Sequence, residues 1–165
     1  MTAPVRTHFQ TRASVEELFA VLTSDVFVQR RAERFRDGAT VVRREARPDG
    51  GLLLAVAREL PDGAPGFLAR LLPKDGRVVQ TDDWGPPDAG GGRSGTWQVD
   101  LPGAPARLGG TLRVEPVGQV TRFLREGEAK VSVPLVGGKA EQFVAEMVMK
   151  LGQKESDLLL ELMVS

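Results

Sequence analysis

The sequence predicts an α+β fold in which a curved antiparallel sheet of about seven strands wraps around a long C-terminal helix, with two short helices after strand one. Three observations predict this architecture. Polar and apolar residues alternate in several short segments, and turn signals separate these segments about every ten residues. Residues 139–163 then follow a helical rather than an alternating period.

The N-terminal segment predicts one strand followed by two helices. Residues 5–11 alternate and indicate the first strand. Ser14 and Glu17 match a capping box, which predicts a first helix over 15–22. A second cap follows directly, and the second helix is expected to end near residues 37–38.

The middle of the chain predicts a meander of six strands, because short turns join the segments. The expected strands are 39–47, 52–60, 76–84, 96–101, 106–116 and 119–134. In the last of them Phe123, Arg125 and Gly127 share a mostly apolar face, whereas the charged residues lie on the other face. This alternation indicates a half-buried strand, with Arg125 as the exception on its inner side.

The C-terminal segment predicts a single long helix, since residues 139–163 contain no proline and only one glycine. Its apolar stripe is expected at 140, 143, 144, 147, 148, 151, 158, 159 and 162. At about 1.5 Å per residue such a helix is roughly 37 Å long. That length suits it to cover the apolar face of the sheet.

Four segments carry a resemblance to a known family: 13–33, 78–85, 95–105 and 126–146. With the order of elements, they resemble the START-like helix-grip superfamily of birch-pollen-allergen-like, polyketide cyclase and lipid-transport proteins. Within it the chain is similar to an actinobacterial family of unknown function. The resemblance spans essentially the whole chain, which implies one helix-grip domain over residues 1–165. It also implies a cavity between sheet and helix that binds or transports a small hydrophobic or amphipathic ligand, such as a lipid, sterol or polyketide-like molecule.

The resemblance and the faces of the predicted elements together give a set of expected ligand-binding residues. They are Trp97, Val99, Leu112, Phe123, Arg125, Phe143, Met147, Leu151, Glu155 and Phe67. Arg125 either meets a ligand carboxylate or carbonyl, or lies at the cavity rim. Glu155 either points into the cavity or reaches water at the edge of the stripe, which is the more ordinary arrangement. Phe67 belongs to the connection 61–76, which is either a lid or a small helix covering the sheet.

Composition restricts the chemistry. The chain has no cysteine, no tyrosine and one histidine, His8, so we assign no catalytic residue, metal site or cofactor. A binding protein is therefore favoured over an enzyme. The alternative is an enzyme of the cyclase/aromatase type, for which the available candidates are Glu155, Asp82, Asp83, His8 and Arg125. A third hypothesis is a protein that acts through interaction with a partner and whose cavity is vestigial.

Charge and hydropathy restrict the partners. The net charge is zero, which argues against nucleic acid, and no apolar run is long enough for stable membrane insertion. The N-terminus lacks an apolar export segment, so a cytoplasmic location is expected. Met149 and Leu160 share a second face of the last helix, which is compatible with a monomer or a weak homodimer.

Three local features are expected to be structural. The basic segment 29–36 is predicted to be a solvated helix face. Asp82 and Asp83 point to opposite sides of their strand and are expected at a surface or loop edge. The glycine-rich segments 90–95 and 136–139 lack the pattern of a phosphate-binding loop.

Overall fold

The computed structural model describes residues 2–60, 66–70 and 76–163, apart from the side chains of Phe67 and Leu68. The described elements are β1 (Ala3–Thr11), α1 (Val15–Leu22), α2 (Asp25–Phe35), β2 (Thr40–Ala46), β3 (Leu52–Glu59), α3 (Gly66–Ala69), β4 (Arg77–Trp84), β5 (Arg93–Asp100), β6 (Ala106–Val117), β7 (Val120–Val131) and α4 (Gly137–Met163). The α+β helix-grip fold predicted from the sequence is confirmed.

The described strands form one antiparallel sheet in the order β1-β7-β6-β5-β4-β3-β2. Strands β2 to β7 are neighbours in chain order, as a meander requires, and β1 adds to the far side of β7. The two ends of the sheet are therefore β1 and β2. Strand β2 is mostly exposed, carries a register shift between Val41 and Arg43, and presents charged side chains, features that discourage edge pairing.

The helix starts follow the predicted caps. The Ser14 hydroxyl accepts a hydrogen bond from the Glu17 backbone N–H at 3.1 Å and donates one to the Glu17 carboxylate at 3.2 Å. Ser24 caps α2 by accepting from the Phe27 N–H at 3.1 Å. Helix α2 ends earlier than predicted, at Phe35, because Arg36 adopts the left-handed conformation with φ of 53°.

Strand β5 begins three residues earlier than predicted, at Arg93 rather than residue 96. The sequence indicates a loop there because Gly95 is a common turn residue. In the sheet Gly95 instead permits close strand approach, since a Cβ on it would lie 3.1 Å from the Asp83 carbonyl carbon. The candidate lid 61–76 contains the short helix α3, and its other segments, 61–65 and 71–75, lie outside the described residues.

Helix α4 packs on β1 and β7, and five positions of the predicted stripe are buried: Ala140, Val144, Val148, Leu158 and Leu159. The buried face also includes Glu141 and Ala145, whereas Phe143, Met147 and Leu151 of the predicted stripe are only half-buried. The approach to β1 is close at Gly152, where a Cβ would lie 2.5 Å from the Thr7 Cγ2 atom. Small residues therefore occupy the centre of the contact, and the large apolar residues lie beside it.

Trp97 lies across the inner face of the sheet over two glycines. It pairs in register with Gly110, which pairs with Gly127. A Cβ on Gly127 would lie 2.9 Å from the Trp97 Cζ2 atom, so the missing side chain makes room for the indole. The indole N–H donates to the Glu126 carbonyl at 3.0 Å. Trp97 thus ties β5 to β7 and forms part of the floor on which the site is built.

Candidate functional site

A cavity of about 50 Å³ lies between the inner face of the sheet and helices α1, α2 and α4. Its apolar wall consists of Leu22, Phe27, Val28, Leu54, Val56, Trp84 and Phe123. Its polar wall consists of Arg31, Arg58, Gln80, Asp82, Arg125 and Glu155. Since one water molecule takes up about 30 Å³ of liquid, this volume suits a small polar group rather than a lipid chain.

Arg31 joins α2 to α4 and to the loop after α2. Its Nε donates to Glu155 Oε1 at 2.8 Å, and its Nη1 donates to Asp37 Oδ2 at 2.5 Å. Asp37 Oδ1 in turn accepts from the Ala39 backbone N–H at 3.1 Å. The guanidinium also lies 4.5 Å from the centre of the Phe35 ring. Arg31 is only 5% exposed, so these contacts replace the water that its charge requires.

A second chain of hydrogen bonds crosses β3 and β4. Arg58 Nη1 donates to Gln80 Oε1 at 2.7 Å, and Gln80 Nε2 donates to Asp82 Oδ1 at 3.0 Å. The three residues lie on the inner face because Arg58, Gln80 and Asp82 follow the strand alternation of their buried neighbours. The amide N–H of Gln80 therefore orients the carboxylate of Asp82. The acceptor for Arg58 is the uncharged amide oxygen of Gln80.

Arg125 projects from β7 into the same space and is 9% exposed. Its Nη2 lies 3.8 Å from Asp82 Oδ2 and its Nη1 lies 4.0 Å from Glu155 Oε2, beyond hydrogen-bond distance. Its buried Nε has no hydrogen-bond partner among the described residues. The guanidinium carbon lies 5.3 Å from the Trp97 ring centre and 5.8 Å from that of Phe123. Arg125 is thus held by aromatic faces and nearby charges, with donor capacity left over.

The pKa values of the two carboxylates that flank Arg125 are shifted in opposite directions. Burial raises the pKa of Asp82 above its ordinary value, and the charge of Arg125 offsets this only in part. Burial also acts to raise the pKa of Glu155, but the charges of Arg31 and Arg125 outweigh it and hold that pKa below the ordinary value. For Arg58, burial together with repulsion from Arg31 and Arg125 lowers the pKa to about 10.

The structure brings only some of the predicted ligand-binding residues together. Phe123, Arg125 and Glu155 line the cavity. Trp97, Val99 and Leu112 are buried in the core and are not among its lining residues. Phe143, Met147 and Leu151 of α4 are half-buried and are not among its lining residues. The side chain of Phe67 lies outside the described residues.

Two expectations about charged residues were wrong. Glu155 does not reach water at the edge of a stripe, because Arg31 holds it inside. Asp82 is not at a surface, and its side chain is only 18% exposed. The basic segment 29–36 is solvated at Arg30, Arg34 and Arg36, as expected, but Arg31 is buried.

Two other enzyme candidates lie away from the cavity. Asp83 faces the other side of β4 and pairs with Arg47. His8 is exposed on β1.

Sequence reasoning missed Arg31, Arg58 and Gln80 as cavity residues, although two signals were present. Arg31 lies four residues after Phe27 and four before Phe35, on the apolar face of α2. Arg58 continues the alternation of the inward residues Leu54 and Val56. In both cases a charged residue occupies a position whose periodicity is that of the core.

Within the residues the structure describes, no group of histidine and acidic side chains is arranged to hold a metal ion. The helices in this part of the chain do not include one that is long and apolar enough to cross a membrane.

Comparisons with known proteins identify the fold. A family model described as "Protein of unknown function (DUF2505)" matches residues 6–162. No curated protein matches the chain.

Several solved structures share the architecture. The truncated norcoclaurine synthase of Thalictrum flavum matches with a TM-score of 0.58 at 14% identity, over 100% of this chain and 95% of the enzyme. A START superfamily protein of Mycobacterium smegmatis matches with a TM-score of 0.52 at 14% identity, over 96% and 98%. The Zhui aromatase/cyclase of Streptomyces sp. R1128 matches with a TM-score of 0.51 at 16% identity, over 94% and 87%. At these identities the likeness shows the helix-grip fold alone.

Proposed function

The chain belongs to the DUF2505 family, whose function is unknown, and we propose that it binds a small amphipathic molecule whose polar end enters the cavity between the sheet and α4. One observation carries the proposal. Arg125 is buried, lines the cavity and has a buried Nε without a hydrogen-bond partner among the described residues. An unsatisfied buried donor is costly, and a bound ligand acceptor removes that cost.

The apolar half of the wall favours an amphipathic rather than a purely polar ligand. Phe27, Leu54 and Phe123 supply apolar contact opposite the charged groups. A dry apolar cavity of about 150 Å³ accommodates benzene, so a space of this size admits only a few heavy atoms. A lipid, sterol or polyketide-like ligand would place its polar end here, and the cavity would widen to take the remainder.

Native mass spectrometry of the purified protein, followed by solvent extraction, tests this function. We expect a discrete additional mass that is released on denaturation. The Val56→Phe variant, which fills the cavity from β3, should lose that mass, whereas Val42→Phe on the exposed face of β2 should keep it. Retention of the mass by Val56→Phe, with an unchanged circular dichroism spectrum, would place the ligand elsewhere.

A second candidate function is acid–base catalysis on a ligand bound in the same cavity. The specific observation is that Asp82 and Glu155 both lie within 4.0 Å of Arg125 but have pKa values displaced in opposite directions. Such divergence is how an enzyme keeps one carboxyl protonated and another ionised at the same pH. Incubation of the extracted ligand with fresh protein distinguishes the two functions, because a binding protein returns the ligand unchanged and an enzyme converts it.

A further inference from the structure

We infer that the polar end of the bound molecule is a carboxylate, held between the guanidinium groups of Arg125 and Arg58. This inference rests on the proposed function and adds to it the chemical class of the ligand. Three features of the cavity support it: unused donors, excess positive charge and limited room.

The donors of two guanidinium groups remain available in the cavity. Arg125 makes no contact with Asp82 or Glu155 closer than 3.8 Å, although both carboxylates face it. Arg58 donates to the neutral amide oxygen of Gln80 rather than to a carboxylate, within the part of the chain that the structure describes. A guanidinium presents paired N–H groups in one plane, which match the two oxygens of a carboxylate.

Arg31, in contrast, uses its N–H donors within the protein. Its Nε and Nη1 are taken by Glu155 and Asp37 at 2.8 Å and 2.5 Å. The same wall therefore contains one arginine committed to the structure and two with capacity for a ligand. This division assigns the ligand to the side of the cavity formed by β3 and β7.

The charges are divided unevenly across the cavity. Arg31 is paired with two acids, Glu155 and Asp37. Among the described residues on the side formed by β3 and β7, Arg58 and Arg125 face only the carboxylate of Asp82, which leaves one positive charge in excess there. Repulsion from Arg31 and Arg125 is among the causes that weaken proton binding by Arg58, so these cations influence one another. A ligand with a single negative charge neutralises this excess and relieves the repulsion.

The charge and the volume of the cavity favour a carboxylate over other polar groups. A doubly charged phosphate would overcompensate the single excess charge and meet the carboxylates of Asp82 and Glu155 at short range. A neutral amide or alcohol satisfies donors but leaves the excess charge buried. The carboxylate group alone suits the volume of about 50 Å³, and a short apolar stem would lie along the apolar wall as the cavity widens.

Titration with butyrate and with butyramide, its neutral counterpart, tests the inference by protein-observed NMR. We expect butyrate to bind the wild-type protein at least tenfold more tightly than butyramide. Arg125→Met and Arg58→Met should each weaken butyrate binding at least tenfold, whereas Arg107→Met, which removes an exposed arginine from β6, should leave it unchanged. The comparison of the two probes on the wild-type protein needs no variant to fold.

The outcomes separate this inference from the proposed function. Equal affinity for butyramide and butyrate would overturn the carboxylate assignment while leaving a binding cavity in place. Competition by inorganic phosphate or chloride at equal affinity would show a general anion site and would also overturn it. If neither probe binds but native mass spectrometry finds a released ligand, the inference fails and the function stands. If neither probe binds and no ligand is found, both fail.

Discussion

Asp82 and Arg125 lie on strands that two other strands separate, yet their side-chain atoms approach to 3.8 Å. In a flat sheet the three strand spacings from β4 to β7 amount to about 14 Å. The curvature of the sheet, together with the length of the arginine over the Trp97 ring, closes this gap. The cavity with its charged wall is therefore a product of sheet curvature rather than of any local motif.

Removing the buried arginine of α2 should be far more damaging than removing an exposed one from the same helix. Arg31→Met leaves Asp37 and Glu155 as buried unpaired acids, and we expect a loss of about 3–5 kcal/mol in the free energy of unfolding. Arg34→Met breaks only a surface pair with Glu161, which water already screens, so the loss should be much smaller. Urea denaturation at neutral pH measures both, and equal losses would contradict the assigned role of Arg31.

The stabilising contribution of Glu155 should depend on pH. Its folded-state pKa is held below the ordinary value of 4.5, so the contribution is present above that value and is lost as pH falls through the folded pKa. We expect Glu155→Gln to cost about 2 kcal/mol or more at neutral pH, because it removes the charge that Arg31 requires. The difference from wild type should shrink below pH 4.5. A difference that does not vary with pH would exclude the ion pair as its cause.

Asp82 should show the opposite pH dependence. Its folded-state pKa is raised above the ordinary value of 3.8, so the folded protein holds this proton more tightly than the unfolded chain does. Stability should consequently fall as pH rises from 3.8 through the raised pKa. Asp82→Asn removes that penalty, and the variant should gain stability relative to wild type over this window. Unfolding free energies measured across it provide the check, and a relative loss that grows with pH would refute the assignment.

The glycines beneath Trp97 should tolerate no side chain. Gly127→Ala places a Cβ against the Gly109 backbone carbonyl of β6 and 2.9 Å from the Trp97 Cζ2 atom. We expect a loss of about 1–3 kcal/mol with altered tryptophan fluorescence. The matched control is Gly138→Ala in the first turn of α4, where a Cβ meets nothing within 4 Å. That change should be neutral or stabilising by up to about 1 kcal/mol. An unshifted spectrum in Gly127→Ala would mean that the indole does not rest on this position.

Much of the fold could be predicted from the sequence because local chemistry determined it. The caps at Ser14 and Ser24 mark the starts of α1 and α2, since each hydroxyl accepts a backbone N–H that the helix leaves unpaired. The alternation of β7 is equally local, because successive side chains of a strand point to opposite faces. Such features need no knowledge of the rest of the chain.

Hydropathy predicts only part of the contact face of α4. Val144, Val148 and Leu158 of the predicted stripe are buried, whereas Phe143 and Met147 are only half-buried. Close packing of a helix on a sheet favours small residues at the point of close approach, as at Gly152 against Thr7. Large side chains then fill the space to either side, so an apolar residue of the stripe need not be fully buried.

The site itself depended on relationships between distant parts of the chain. The sequence indicates Arg125 and Glu155 as separate candidates for the cavity. No spacing in the sequence predicts that the two side chains lie close together. The basic neighbours of Arg31 favour a solvated helix face. Its position in the helical repeat, however, places Arg31 on the same face of α2 as Phe27 and Phe35. On two separate elements, α2 and β3, a charged residue occupies a position on the core-facing side. That coincidence is the signal that would have indicated a buried polar cluster.

The position of Arg31 between two acids also restricts how this chain can diverge over evolutionary time. Loss of the arginine leaves both Asp37 and Glu155 uncompensated, and loss of either acid leaves the arginine half-paired. A substitution that removes the charge of any one of the three breaks this pairing, so such a first step passes through a less stable protein. Descendants are therefore expected to retain all three residues or to have replaced them together, and the three positions should covary across related chains.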